Sequence, residues 1–136
     1  MLIPSSFNDF LKEKRAWYKS IKEVFCPILG ENIVFNSKGF HHLSFDGTGR
    51  KRTIKEQKYK MGLLPLVIPV IKNSNRIFKY EKERYSKSLG KYFEIWVLQE
   101  IVGKNNVTVF VVLRRIGTGN ITFLSVWKKK DKQKTA

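Results

Sequence analysis

A chain of 136 residues, 42% of them hydrophobic, has room for one self-sustaining core and little for a second, which excludes a multi-domain arrangement. Its formal charge of +16 exceeds what solubility requires, so the expected partner is a polyanion: nucleic acid first, with an acidic lipid surface or an acidic protein compatible with the same charge. A single cysteine, Cys26, excludes an internal disulfide and a thiolate metal cage. The opening MLIPSSFNDF lacks the regions of a signal peptide, and the longest apolar run, MGLLPLVIPVI at 61–71, is too short to span a bilayer. The expectation is a soluble, cytoplasmic protein without a membrane partner.

In chain order, SSFNDFLKEKRAWYKSIKEVF reads as an amphipathic helix over about 6–25, capped by Ser6, with Phe7, Phe10, Leu11, Trp17, Ile21, Val24 and Phe25 at helical spacing. Pro27 follows its end. NIVFNS has the β-branched and aromatic content of a short strand, and Ser37 then caps a helical turn carrying KGFHHLSF. DGTG breaks that turn, and Thr53 to Met61 is polar and helix-favouring. LLPLVIPVIKN is a short apolar helix with Pro65 in its first turn and Pro69 imposing a bend. NRIFKYEKERY, KYFEIWVLQEIV, NVTVFVVLRRI and NITFLSVW are strand-like runs separated by SKSLG, GKNN and GTGN, the punctuation of an antiparallel meander. Helices first and then a sheet predict an α+β fold, with N-terminal helices packed on a four- to five-stranded antiparallel β-sheet. The domain is expected over residues 1–127, and the lysine-rich segment 128–136 as a basic, disordered tail.

A four-residue GTGN turn places Ile116 opposite Ile121, Arg114 opposite Phe123, Val112 opposite Ser125 and Phe110 opposite Trp127. Val109, Val111, Leu113, Leu124 and Val126 then form the core side. In the preceding strand Phe93, Ile95, Val97 and Ile101 are the more apolar alternate set and are expected to join them, leaving Glu94, Trp96 and Glu100 beside Arg114 and Ser125 on an open face. An ordinary half-exposed sheet with cross-strand Glu–Arg pairs would show the same pattern.

GFHHLSFDGTGRKR at 39–52 holds both histidines, a glycine-rich turn and three consecutive cations. Adjacent helical positions lie about 100° apart, so His41 and His42 cannot share a face. Phe40 and Leu43 mark the buried side and direct His42, more than His41, toward solvent or a cleft. The plainer explanation of such a pair is one surface and one packed histidine. Against it stand Arg50, Lys51 and Arg52, across a turn flexible enough to wrap a phosphate. Guanidinium groups bind phosphate bidentately and stabilise charge that grows in a phosphorane-like transition state, while a histidine moves the protons. These parts suffice for attack of an RNA 2′-hydroxyl on the adjacent phosphate without metal or other cofactor. No zinc or two-metal spacing is present, and GTGRK lacks the Walker pattern.

The order of helix, short strand, HHL turn, basic helix, LLPLVIPVIKN and a meander ending VTVFVVLRRIGTGNITFLSVW resembles the phage-associated branch of the barnase-EndoU-colicin-RelE (BECR) superfamily of small nucleases, over about residues 30–127. The resemblance implies a RelE-like fold and a metal-independent ribonuclease, a toxin or phage effector held by an acidic antitoxin or immunity protein. It matches the family's histidine to His42, its basic positions to Arg50 and Arg52, and its final-strand Ser or Thr to Ser125. His41 is an extra residue against that pattern, and the leading helix lies outside it. In the enzyme so expected, His42, or else His41, transfers protons, with Glu100 a second candidate for general base. Arg50, Arg52 and Arg114 hold the phosphate, and Ser125 positions a phosphate oxygen or base edge. Lys51, Lys55 and Lys58 bind RNA, and Trp96 or Trp127 stacks a base. A non-catalytic nucleic-acid-binding or regulatory domain would use the same cations and aromatics and need no histidine.

Overall fold

The amphipathic pattern at the N-terminus gives a helix that stops five residues before its predicted end. In the computed structural model, which describes residues 6–46 and 48–129, helix α1 spans Ser6–Ser20 and strand β1 follows at Glu23–Cys26. Gly47 and the tail from residue 130 onward lie outside the described residues, as does the side chain of Ser6 with its predicted cap. Val24 and Cys26 point inward while Glu23 and Phe25 point out, an alternation of period two that a helix cannot provide. The turn over Pro27 to Gly30 closes a hairpin: Gly30 has φ 68°, open to glycine, and its N–H donates to Cys26 O at 2.8 Å. Strand β2, Glu31–Val34, runs back antiparallel to β1.

Asn36, not Ser37, caps helix α2 (Ser37–Ser44), its side chain accepting from the N–H groups of Lys38 and Gly39. Helix α3, Ile54–Gly62, opens on a capping box in which Thr53 and Glu56 satisfy each other's backbone N–H. Helix α4, Leu64–Asn73, carries Pro65 in its first turn and Pro69 inside. The meander follows as predicted: β3 Ile77–Ser86, β4 Lys91–Val102, β5 Val107–Ile116 and β6 Ile121–Lys128.

The sheet has six strands in the order β1-β2-β6-β5-β4-β3. Two features correct the expected four to five antiparallel strands. The β1–β2 hairpin extends the sheet, and β2 joins β6 in parallel while every other pair is antiparallel. Helix α4 packs across β1, β4 and β5. Leu64, Val67, Val70 and Ile71 there meet Ile33, Leu98, Val109, Val111, Leu113, Phe123 and Val126 in a core closed to solvent. Among the described residues no helix is long and apolar enough to cross a membrane.

The expected face of β4 is reversed. Trp96, Leu98 and Val102 enter the core opposite Leu113, Val111 and Val107, and Phe93, Ile95, Val97 and Ile101 lie on the open face. Both alternate sets of β4 are apolar in mid-strand, so the pleat alone does not decide. The glutamates that suggested the other choice sit toward the strand ends, where Glu94 accepts from Tyr80 Oη at 2.5 Å and lies 3.9 Å from Arg115. In the last hairpin Phe110 faces Trp127 and Val112 faces Ser125 as expected, but a bulge at Leu124 shifts the rest. Leu113 then faces Phe123 and Arg114 faces Thr122, so Phe123 is core and Leu124 only half-buried.

Strand β2 pairs with β6 only through Ile33–Ile121 and Val34–Thr122 before the chain leaves for α2, which packs against β6 instead. Gly39 permits that approach. A Cβ there would sit 2.5 Å from Tyr18 Oη, 2.6 Å from Phe123 O and 2.9 Å from Phe123 Cδ2, closer than any real contact, and a backbone carbonyl cannot swing aside. Gly39→Ala is therefore expected to lower unfolding free energy by roughly 1–3 kcal/mol, the range of core overpacking. Urea denaturation checks it, and an unchanged midpoint would show that α2 can back away freely.

Candidate functional site

The short β2–β6 pairing leaves the second half of β6 with a free edge. Lys129 N–H donates to Thr108 O across to β5 at 2.9 Å, so alternation turns the polar groups of Val126 and Lys128 the other way, toward α3. Lys60 Nζ donates to Val126 O at 2.8 Å, and Lys128 N–H donates to Tyr59 Oη at 2.9 Å. Two adjacent side chains of α3 thus stand in for the missing strand. The same Lys60 ammonium lies 3.4 Å from Ser125 Oγ. Burial, and then the charge of Arg52, push its pKa down to about 8, with Glu56 opposing. Sequence reasoning did not single out Lys60. The available signal is its place one position before buried Met61 and three after buried Gln57, on the flank of the inward face of α3.

His42 is half-buried, and its pKa is lowered by burial first, then by the charges of Arg114, His41, Arg52 and Lys38. Burial and the surrounding cations both favour its neutral form. Arg52 Nε donates to His42 O at 3.1 Å, and buried Gln57 donates from Nε2 to Arg52 O at 2.8 Å, locking the α2–α3 connection. Arg114 sits half-buried on the open face of β5. Its Nε is buried with no hydrogen-bond partner, an unsatisfied donor that folded proteins rarely tolerate. A shallow pocket of about 180 Å³ opens beside it, lined by Lys38, Asn36, Asn120 and Thr122. Arg52 links two sets of groups: its charge and that of Arg114 act on His42, and its charge acts also on Lys60, whose ammonium meets Ser125 on the free half of β6, while Arg114 lies opposite Thr122 in the half that β2 pairs. The carboxylate acting on this group, Glu56, is committed to the α3 capping box.

Other predicted site residues lie elsewhere. His41, expected to be the less exposed histidine, is the exposed one and lies flat on Phe45, ring centroids 4.4 Å apart and planes 9° apart. The DGTG turn is not an open phosphate loop, because Asp46 already fills it. Its carboxylate accepts from Thr48 N–H (2.9 Å), Thr48 Oγ1 (2.7 Å), Arg50 N–H (3.0 Å) and Arg50 Nε (3.3 Å). The Thr48 hydrogen bonds above all hold that carboxyl well below the usual carboxylate range. Arg50 therefore braces the loop with its guanidinium in solvent. Lys51, Lys55 and Lys58 are exposed. Trp96 is core and cannot stack a base. Glu100 pairs with Val109, five positions along the strand from Arg114, or about 17 Å at 3.3–3.4 Å per residue, which removes it as a base here. Trp127 is half-buried on the open face, stacked on Phe110 at 5.0 Å, and Phe78 meets Phe110 edge-on at 4.9 Å.

Among the described residues no three His, Cys, Asp or Glu side chains converge as a metal-holding group. No protein-family model matches this chain, and neither the curated proteins nor the solved structures contain a match.

The Lys60 environment has a pH signature. Its pKa falls from 10.5 unfolded to about 8 folded, so the unfolded state binds more protons between those values and stability from this group rises with pH across the window. Unfolding free energies of wild type and Lys60→Met, measured from pH 7 to 10, should diverge progressively in favour of the wild type. A difference independent of pH would refute a desolvated ammonium at this position.

Proposed function

We propose that this chain is a metal-independent RNA endonuclease of the BECR kind. The observation that carries this reading is a half-buried Arg114 guanidinium whose Nε has no hydrogen-bond partner and whose charge acts on His42, in a cluster of cations without a free carboxylate. Such a cluster is electrostatically incomplete until an anion enters, and a phosphodiester supplies both the charge and the acceptor that Arg114 Nε lacks.

The cluster divides the proton chemistry between two groups. Neutral His42 takes the proton of the RNA 2′-hydroxyl, and the 2′-oxygen attacks the adjacent phosphorus. The bond from phosphorus to the 5′-oxygen breaks, and the Lys60 ammonium donates a proton to that leaving oxygen. The products are a 2′,3′-cyclic phosphate and a 5′-hydroxyl. Arg114 and Arg52 stabilise charge on the phosphorane oxygens, and Ser125 Oγ orients the ammonium. Paired groups whose surroundings place one pKa below and the other near working pH suit acid–base division. On the adjoining open face, Trp127, Phe110 and Phe78 offer a surface for bases. An acidic protein that covers Arg52 and Arg114 would mimic the phosphate and serve as the antitoxin of a cytoplasmic toxin.

Purified protein with end-labelled RNA in EDTA should yield fragments with 2′,3′-cyclic phosphate ends. His42→Ala should lower the rate about 10²–10⁴-fold while RNA is still bound. RNA bound but left intact by the wild type would favour the non-catalytic reading. The rate should follow a bell in pH, rising as His42 loses its proton below 6.5 and falling as Lys60 does near about 8. An alkaline limb far from that value would assign the acid to another group. In cells, wild type should arrest growth where His42→Ala is tolerated, and Arg52→Glu with Arg114→Glu should release any co-purifying acidic partner. Retention of that partner would place the inhibitor elsewhere.

A further inference from the structure

A cleft roomier than the pocket beside Arg114 lies on the other side of α2 from the cationic cluster, where the C-terminal half of α1 passes over it. It encloses about 580 Å³, within the range of small-ligand sites. Tyr18, Phe35 and Phe40 form its aromatic floor, and Arg15, Lys19, Lys22 and His41 stand around it. Arg15 lies over the Phe40 ring at 5.2 Å, a direct cation–π contact that holds its charge at the rim of the cleft. The one carboxylate on the wall, Glu23, accepts from Asn32 Nδ2 at 2.8 Å. Tyr18 Oη is committed to Asn36 O at 2.6 Å, so the floor is fixed rather than collapsible.

An apolar floor of rings set edge-on and tilted to one another, under a cationic rim, suits a ligand that is aromatic inside and anionic outside. His41 and His42, adjacent on α2 and about 100° apart, turn one toward this cleft and the other toward the cationic cluster. A helix with its side chains is only about 10–12 Å across, so one short oligonucleotide can reach both. We infer that the α1–α2 cleft is a nucleotide-binding subsite, which takes one base and its phosphate from the same RNA strand that presents another phosphate to His42. The identity of the strand as RNA substrate rests on the ribonuclease reading, while the cleft's preference for a nucleotide stands on its own lining.

The test uses a fluorescein-labelled 2′-O-methyl RNA hexanucleotide, which has no 2′-hydroxyl to attack, so binding is read apart from cleavage. Lys19→Ala with Lys22→Ala, both exposed side chains, should weaken binding and reduce the slope of log affinity against log salt by about 1.4, two contacts at about 0.7 each for single strands. Lys72→Ala with Lys104→Ala, also exposed but away from the cleft, should leave both quantities close to wild type. Adenosine 5′-monophosphate should displace the hexanucleotide at lower concentration than ribose 5-phosphate. Equal losses from the two lysine pairs would mean diffuse attraction to a positive surface, and equal competition by the two phosphates would mean no base enters; either result overturns the subsite. Failure of the ribonuclease reading shows differently, as unmodified RNA left uncut while these binding differences persist.

Discussion

Two residue pairs of parallel β2–β6 ladder, and no more, set the constraint on which the rest of the structure depends. A strand of eight residues that is paired over only two of them on one side must satisfy its remaining polar groups by other means, since an unpaired buried carbonyl carries a desolvation penalty. The chain solves this with helices. Gly39 lets α2 come against Phe123 without a Cβ in the way, and Tyr59 and Lys60 of α3 take the Lys128 N–H and the Val126 C=O. The structural solution places a lysine ammonium where water is scarce, beside a serine hydroxyl and within the field of Arg52. Edge closure and a shifted lysine pKa are therefore one arrangement.

The electrostatics of this arrangement are unfavourable on their own. Arg114, Arg52 and His41 all depress the pKa of His42, and Arg52 depresses that of Lys60, so each group resists the next one's charge. In water such repulsion between charges a few ångströms apart is about 1 kcal/mol, and it grows severalfold at partial burial. The backbone locks it in place, because Arg52 is held to His42 O and is itself held by buried Gln57. An entering anion would add an attraction to each of these cations that offsets their mutual repulsion, and it would give the Arg114 Nε donor an acceptor. Binding should therefore stabilise the fold as well as occupy the pocket.

How far the site was legible in the sequence follows from which interactions are local. The boundaries of β3 to β6, the short apolar α4 and the period-two core of β5 are written in runs of residue type, and they appear where the runs are. The end of α1 was missed because Glu23 to Cys26 fits a helical face and a strand alternation equally well over so few residues. The face of β4 was missed because its middle is apolar on both sides and its glutamates are settled by Tyr80 and Arg115, partners on other strands. His42, Arg52, Arg114 and Ser125 could be proposed from type and order. Lys60 could not, because its chemistry comes from Val126 and Ser125, more than sixty residues away. Arg50 reads as a phosphate ligand because it follows a flexible glycine-rich turn, whereas the Asp46 carboxylate already accepts from the Thr48 and Arg50 N–H groups of that turn.

The doubled histidine that opened the question of chemistry has a geometric resolution. A helix of eight residues fixed on one side by Gly39 against Phe123 and on the inner side by Phe40 and Leu43 leaves two flanks free. Two successive positions then point at two different spaces, one polar and cationic, bounded by β5 and β6, the other aromatic and cationic, bounded by α1. Because α1 contributes Arg15, Tyr18 and Lys19 to the second space, the leading helix is more than a lid on the core. It converts the outer flank of α2 from a solvated surface into a wall, which a lone helix surface would not be. Rigid seating of α2 is then a requirement of both spaces together: displacement of that helix away from β6 would open one and narrow the other, so the backbone contact at Gly39 couples their shapes.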